Sequence, residues 1–149
     1  MPQLTNRFSL CSFHFILFSL FLVFNIGCAQ QSPYAALALP DGSLLAKKGS
    51  PNLVLVIGQS TCPACQTDHS ALKLYHKKWE KMGHALVYLS IDREVEKYTA
   101  YYGEDPWETH HDSLRWDGVL ATELKLIGTP SLYAFDKDMK LLKETENAH

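Results

Sequence analysis

The sequence predicts an α/β domain built on a buried central sheet. Three apolar runs of β-forming residues carry that expectation: LVLVI at 53–57, HALVYLS at 84–90 and SLYAF at 131–135. Between them lie segments with helical spacing, and strands alternating with helices are the pattern of a sheet covered by helices. A chain of 149 residues suits one domain of this kind.

The elements follow in order. Residues 53–57 read as a strand buried on both faces, because the run is apolar without alternation. Gly58 to Thr61 make the turn after it. A long helix then starts at Cys62, with Pro63 at the first helical position, where its missing N–H costs nothing. Leu72, Tyr75, Trp79 and Met82 recur at helical spacing, and Gly83 supplies the stop. After the second strand, Asp92 is placed to cap a helix over about 93–102 that ends at Gly103. Tyr98, Tyr101 and Tyr102 form its packing face. Residues 104–117, EDPWETHHDSLRWD, lack periodicity and read as a loop anchored in the core by Trp107 and Trp116. A short helix over about 118–126, the strand 131–135, a turn at 136–139 and a last strand at about 140–143 complete the pattern. No internal repeat is present.

The N-terminus is of another kind. Residues 8–27, FSLCSFHFILFSLFLVFNIG, are apolar, follow Arg7 and contain no Asp, Glu, Lys or Arg. This is an export signal. Its length, about 20 residues, also matches a membrane-spanning helix. Gly27-Cys28-Ala29 at its end resembles the bacterial lipobox, in which the cysteine is lipidated and becomes the new N-terminus; Asn25 stands where lipoboxes usually carry an aliphatic residue. Lipidation at Cys28, an uncleaved anchor and ordinary cleavage after Ala29 are the alternatives. The expected organisation is therefore signal or anchor over 1–28, linker over 29–37 and folded domain over 38–149. In each case the folded part lies outside the cytoplasm, where disulfides persist; a periplasm-facing domain tethered to the membrane through Cys28 is the expected outcome.

Charge excludes some partners. Lys and Arg total 14 against 16 Asp and Glu, with no basic stripe and no phosphate-binding glycine loop, so nucleic acid is not an expected partner.

Cysteine usage narrows the chemistry. Of four cysteines, Cys11 and Cys28 belong to the N-terminal segment, leaving Cys62 and Cys65 in the domain. One Cys-x-x-Cys cannot make a disulfide framework, and it offers two ligands where structural zinc needs four. Redox exchange remains. At the helix start, free N–H groups and the helix dipole stabilise a thiolate, so Cys62 is the expected nucleophile. Cys65, one turn further in, is placed to resolve the mixed disulfide.

CPAC at the start of a long helix, with Gly128-Thr129-Pro130 before a strand hairpin, resembles the thioredoxin fold. Within it, KKGSPNLVLVIGQSTCPAC, LVYLSID and LIGTPSLYAFDKD are similar to the exported, membrane-tethered thiol-disulfide oxidoreductases of the TlpA and ResA type. The likeness spans roughly residues 38 to 143.

The resemblance implies a three-layer α/β/α sandwich with a mixed sheet. It implies a cis bond before Pro130, facing the disulfide, and Thr129 presenting backbone groups to an extended substrate. It places an acidic residue at Asp68, which could accept the proton of Cys65; the plain alternative is an acid favoured by the helix dipole. It implies no cofactor beyond the Cys62–Cys65 pair. Partners would be the disulfides and thiols of exported proteins, cytochrome c maturation partners among them, together with a membrane or periplasmic thiol donor; reduction of client disulfides is the implied direction.

Three departures stand out. The aromatic residue expected before the motif is replaced by Gly58-Gln59-Ser60-Thr61. The dipeptide between the cysteines is Pro-Ala. The chain stops at His149, where ETENAH is too short for the closing helix of the fold; a trimmed domain, or cover for that face from a partner or the segment 32–46, is expected.

A second function class competes. His69 lies four residues after Cys65 on the same helical face, so Cys62, Cys65 and His69, with His110 or His111, could form the copper or zinc site of a metal-binding chaperone. A third class is a thioredoxin-fold module that binds partners without turnover.

Overall fold

The computed structural model describes residues 32–48 and 52–146, leaving aside the side chains of 144–146. The chain divides into two units, Met1–Gln30 and Gln31–His149, and all that follows concerns the second. The apolar run, Cys11 and Cys28 lie outside the described residues. Among those described, no helix is long and apolar enough to cross a membrane.

The strands are β1 (Asn52–Gly58), β2 (His84–Ser90), β3 (Glu108–His111), β4 (Ser131–Phe135) and β5 (Leu141–Glu146). The helices are α1 (Pro63–Lys81), α2 (Val95–Tyr102) and α3 (Val119–Glu123), with 3-10 turns at Pro33–Ala36, Leu45–Lys47 and Arg115–Asp117. The sheet runs β3-β2-β1-β4-β5. β1, β2 and β3 are parallel, whereas β4 is antiparallel to β1 and β5 to β4. The mixed five-stranded sheet with helices on both faces is the expected α/β sandwich.

Each face of the sheet has its own core. Leu53, Leu55 and Ile57 of β1 point to one side with Leu89, Tyr133 and Phe135, and Leu37, Leu39, Leu45 and Leu120 cover them. Val56, Leu86 and Tyr88 point to the other, beneath Leu72 of α1, Tyr102 of α2 and Trp107. Burial on both faces is why β1 is apolar at successive positions. Each fully buried aliphatic side chain contributes about 1.5–3 kcal/mol of transfer free energy.

Several expectations are corrected. The segment 32–46 covers one face of the sheet: Leu37, Leu39 and Leu45 pack against Leu53 and Leu55, on the face opposite α1. The first 3-10 turn, within the stretch composition marks as linker, leads directly into buried Leu37. Along α1 the inward stripe is Cys65, His69 and Leu72, while Tyr75 and, just past the helix end, Met82 are exposed at 54% and 56%. Tyr75 and Trp79 instead line an open cleft with Val56 and Leu132.

The loop expected over 104–117 contains β3, which pairs with β2 from Val87↔Glu108 to Ser90↔His111. Its residues, Glu-Thr-His-His, carry no apolar alternation; backbone pairing to β2 makes the strand. Trp107 is buried as expected, but Trp116 is 39% exposed and belongs to neither core cluster. α2 starts at Val95 behind Glu94, without a side-chain cap, because the Asp92 carboxylate is engaged elsewhere. α3 is shorter than expected, and β5 longer. Gly83, with φ +78°, takes the left-handed conformation just past α1.

Candidate active site

Cys62 is the N-cap residue of α1, with extended φ −89° and ψ 117°, and Pro63 follows in the first turn. The Cys65 N–H donates to Cys62 Sγ at 3.2 Å, so the sulfur serves as the helix cap. The two cysteines form a disulfide, with Cα atoms 5.2 Å apart. Cys62 is half-buried, whereas Cys65 is 1% exposed. An incoming sulfur can therefore reach only Cys62.

The turn that presents Cys62 is held from below by Asp92, itself 1% exposed. Its carboxylate accepts from the Ser60 N–H (3.0 and 3.1 Å), the Ser60 hydroxyl (2.8 Å) and the Ser90 hydroxyl (2.8 Å). A buried carboxylate needs such donors, and here they fix the end of β1 to the end of β2. Gln66 of α1 closes the turn from above, donating to the Ser60 carbonyl at 2.7 Å. Asp92 and Ser60 were not legible as site residues; the Ser-x-Asp of residues 90–92 was the available signal, and it reads equally as a helix cap.

Opposite Cys62 stands the start of β4. The Thr129–Pro130 peptide bond is cis. The Thr129 carbonyl oxygen lies 3.6 Å from Cys62 Sγ, and the Thr129 hydroxyl accepts from the Gln59 side chain at 3.4 Å. The Ser131 hydroxyl donates to the Gly128 carbonyl at 2.8 Å and fixes the turn. Cys62, Cys65, Thr129 and Pro130 thus come together at one end of the sheet. Asp68 is half-buried and lines, with Pro130, Ser131 and Tyr75, an open cleft of about 330 Å³ along α1.

His69 is not brought to the cysteines as a ligand. It is 4% exposed, its Nε2 is 2.6 Å from Asp105 Oδ2, and Lys73 pairs with the other Asp105 oxygen at 3.1 Å. Tyr88, Tyr101, Tyr102 and Trp107 surround its ring. His111 is also engaged, with Nε2 2.9 Å from the Asp92 carbonyl and its ring stacked on Tyr98.

Among the described residues, the group of candidate ligands that does converge is Asp41, Glu108 and His110. Lys48 Nζ already sits 2.5 Å from Glu108 Oε1 there. Burial pushes the Glu108 carboxyl up, but its hydrogen bonds with Lys48 and His110 outweigh that and hold it below its ordinary value. The cluster is an ion-pair network on the edge strand.

No family model and no curated protein sequence matches the chain. Solved structures do. The thioredoxin domain of a thiol-disulfide oxidoreductase from Bacteroides vulgatus superposes with a TM-score of 0.60 at 17% identity, over 72% of this chain and 79% of that one. A secreted disulfide oxidoreductase of Mycobacterium tuberculosis gives 0.59 at 15% identity, over 68% and 73%. StoA from Bacillus subtilis gives 0.56 at 15% identity, over 73% and 84%. With the β3-β2-β1-β4-β5 sheet, the Cys-x-x-Cys at the head of α1 and the cis bond before β4, these likenesses establish that the fold is thioredoxin-like.

Proposed function

We propose that this chain is an exported thiol-disulfide oxidoreductase that reduces disulfides of other exported proteins. The observation that carries this reading is the position of Cys62: half-exposed, capping α1, and facing the cis Thr129–Pro130 turn. The reduced Cys62 thiolate attacks a client disulfide and forms a mixed disulfide. Cys65 then attacks Cys62, restoring the internal disulfide and releasing the client as a dithiol.

The client segment would lie beside Thr129, whose backbone borders Cys62, and Asp68 would take up the proton of Cys65. The pair needs no further cofactor; a membrane or periplasmic thiol donor would reduce it again. Export follows from the apolar run 8–27, and tethering would come from lipid on Cys28. The reducing direction rests on the family resemblance.

The test is capture. A full-length Cys65→Ser chain in the cell envelope should accumulate mixed disulfides with exported proteins, and Cys62→Ser should form none. Absence of any Cys62-linked partner in the Cys65→Ser chain would contradict the proposal. Radiolabelled palmitate incorporation lost in Cys28→Ala would support the tether.

A further inference from the structure

Gly58 ends β1 directly beside the buried sulfur of Cys65. A Cβ at Gly58 would lie 2.1 Å from the Tyr88 hydroxyl oxygen and 3.4 Å from Cys65 Sγ, so hydroxyl and sulfur border the same small space that the glycine leaves open. Tyr88 and Cys65 are each 1% exposed. Tyr88 sits on β2 opposite Val56, two residues short of Gly58. Its hydroxyl pairs with that of fully buried Tyr102 at 3.1 Å, and their ring centroids are 4.6 Å apart.

This is where the proposed exchange, on which the inference rests, needs support for charge. In the mixed disulfide Cys65 is a thiol, and it must become a thiolate in surroundings that water does not reach. A buried anion is costly without a donor. The Cys65 N–H is already directed at Cys62 Sγ.

We infer that the Tyr88 hydroxyl donates the hydrogen bond that steadies the Cys65 thiolate during resolution, while the Tyr102 hydroxyl donates to the Tyr88 oxygen and orients it. Each phenol has one proton, and the chain Tyr102 to Tyr88 to Cys65 uses both. Burial, foremost, pushes both phenols above their ordinary range, so they act as donors and not as bases.

In the step itself, the Cys65 sulfur electron pair forms the bond to Cys62 Sγ as the Cys62–client bond breaks. The client sulfur leaves as a thiolate and takes up one proton, equal to the one that Cys65 gave up. The titratable groups around the two phenols are Asp92, Tyr101, Asp105 and His69, and α1 adds Cys62 and Asp68.

The experiment follows alkylation of Cys65 by iodoacetamide against pH, resolved by peptide mass, in full-length Cys62→Ser with and without Tyr88→Phe. The added change should move the Cys65 midpoint up by about one pH unit. In the chain retaining both cysteines, Tyr88→Phe should slow release of glutathione from Cys62 about tenfold near neutral pH, leaving the initial attack of Cys62 on oxidised glutathione unchanged. Gly58→Ala, which displaces the phenol but keeps it, should reproduce both effects, and Tyr102→Phe should give a smaller one. Normal glutathione exchange with an unmoved Cys65 midpoint in folded Tyr88→Phe and Gly58→Ala would overturn the role of Tyr88 alone. No exchange in the unaltered chain would overturn both this role and the functional reading beneath it.

Discussion

The Cys65 N–H points at Cys62 Sγ across 3.2 Å, at the first turn of a helix whose N-cap is that sulfur. The same bond favours an anion on Cys62 once the pair is reduced, because N–H donors and the helix dipole both stabilise negative charge there. Cys65, 1% exposed, lacks that access. In the reduced chain, Cys62 should therefore react with iodoacetamide at neutral pH at least about tenfold faster than Cys65. Equal rates, read by peptide mass, would remove the distinction between nucleophile and resolving thiol.

His69→Ala separates redox from metal chemistry. The change leaves Asp105, 1% exposed in its side chain, with Lys73 alone, and opens space among four aromatic rings. A loss of about 2–4 kcal/mol in urea unfolding is expected. Thiol-disulfide turnover at a temperature where the variant remains folded should survive. Stoichiometric Cu(I) binding by the unaltered chain that is lost in His69→Ala would instead support the metal chaperone.

Asp92 holds the turn before Cys62 through Ser60 and Ser90. Asp92→Ala should destabilise the domain by about 2–4 kcal/mol, since it strands buried donors, and should lower the exchange rate more than His69→Ala does. Asp92→Asn, which keeps an acceptor, should recover part of both. An Asp92→Ala chain with unchanged denaturation midpoint would refute this role.

Glu108 gives a pH signature on the edge strand. Its carboxyl lies below its ordinary value, near 4.5, through bonds from Lys48 and His110 that outweigh the opposing effect of burial. A depressed folded value means stability that is present above the ordinary value and disappears as pH falls through the folded one. The pair is partly exposed, so it is worth less than about 1 kcal/mol. Urea midpoints of the unaltered chain and Glu108→Gln should differ at pH 6, and the difference should shrink as pH falls below the ordinary carboxyl range. A constant difference would show that Glu108 acts otherwise.

The strands of the core were legible because β1 and β2 bury residues on both faces and β4 buries Ser131, Tyr133 and Phe135 on one, and all three say so in apolar runs. Cys62 at the head of α1 was legible too, from Pro63 and the helical spacing behind it. β3 was not: a four-residue edge strand of Glu, Thr and two His is specified by the backbone of β2, not by its side chains. The outward face of Tyr75 was hidden for a related reason, since helical spacing shows a stripe but not which layer it meets. Asp92 and Tyr88 joined the site only through contacts with residues 32 and 30 positions away. No local pattern encodes such pairs.

Every proposed step requires that Cys62 and Cys65 form a redox-active pair. The most direct measurement is the fraction of these two thiols oxidised, by peptide mass, after equilibration of the full chain against graded glutathione and dithiothreitol buffers. A reversible two-electron transition between about −270 and −120 mV, abolished in Cys62→Ser, is the predicted result. Thiols that stay reduced throughout, or a disulfide that no buffer in this range opens, would contradict it.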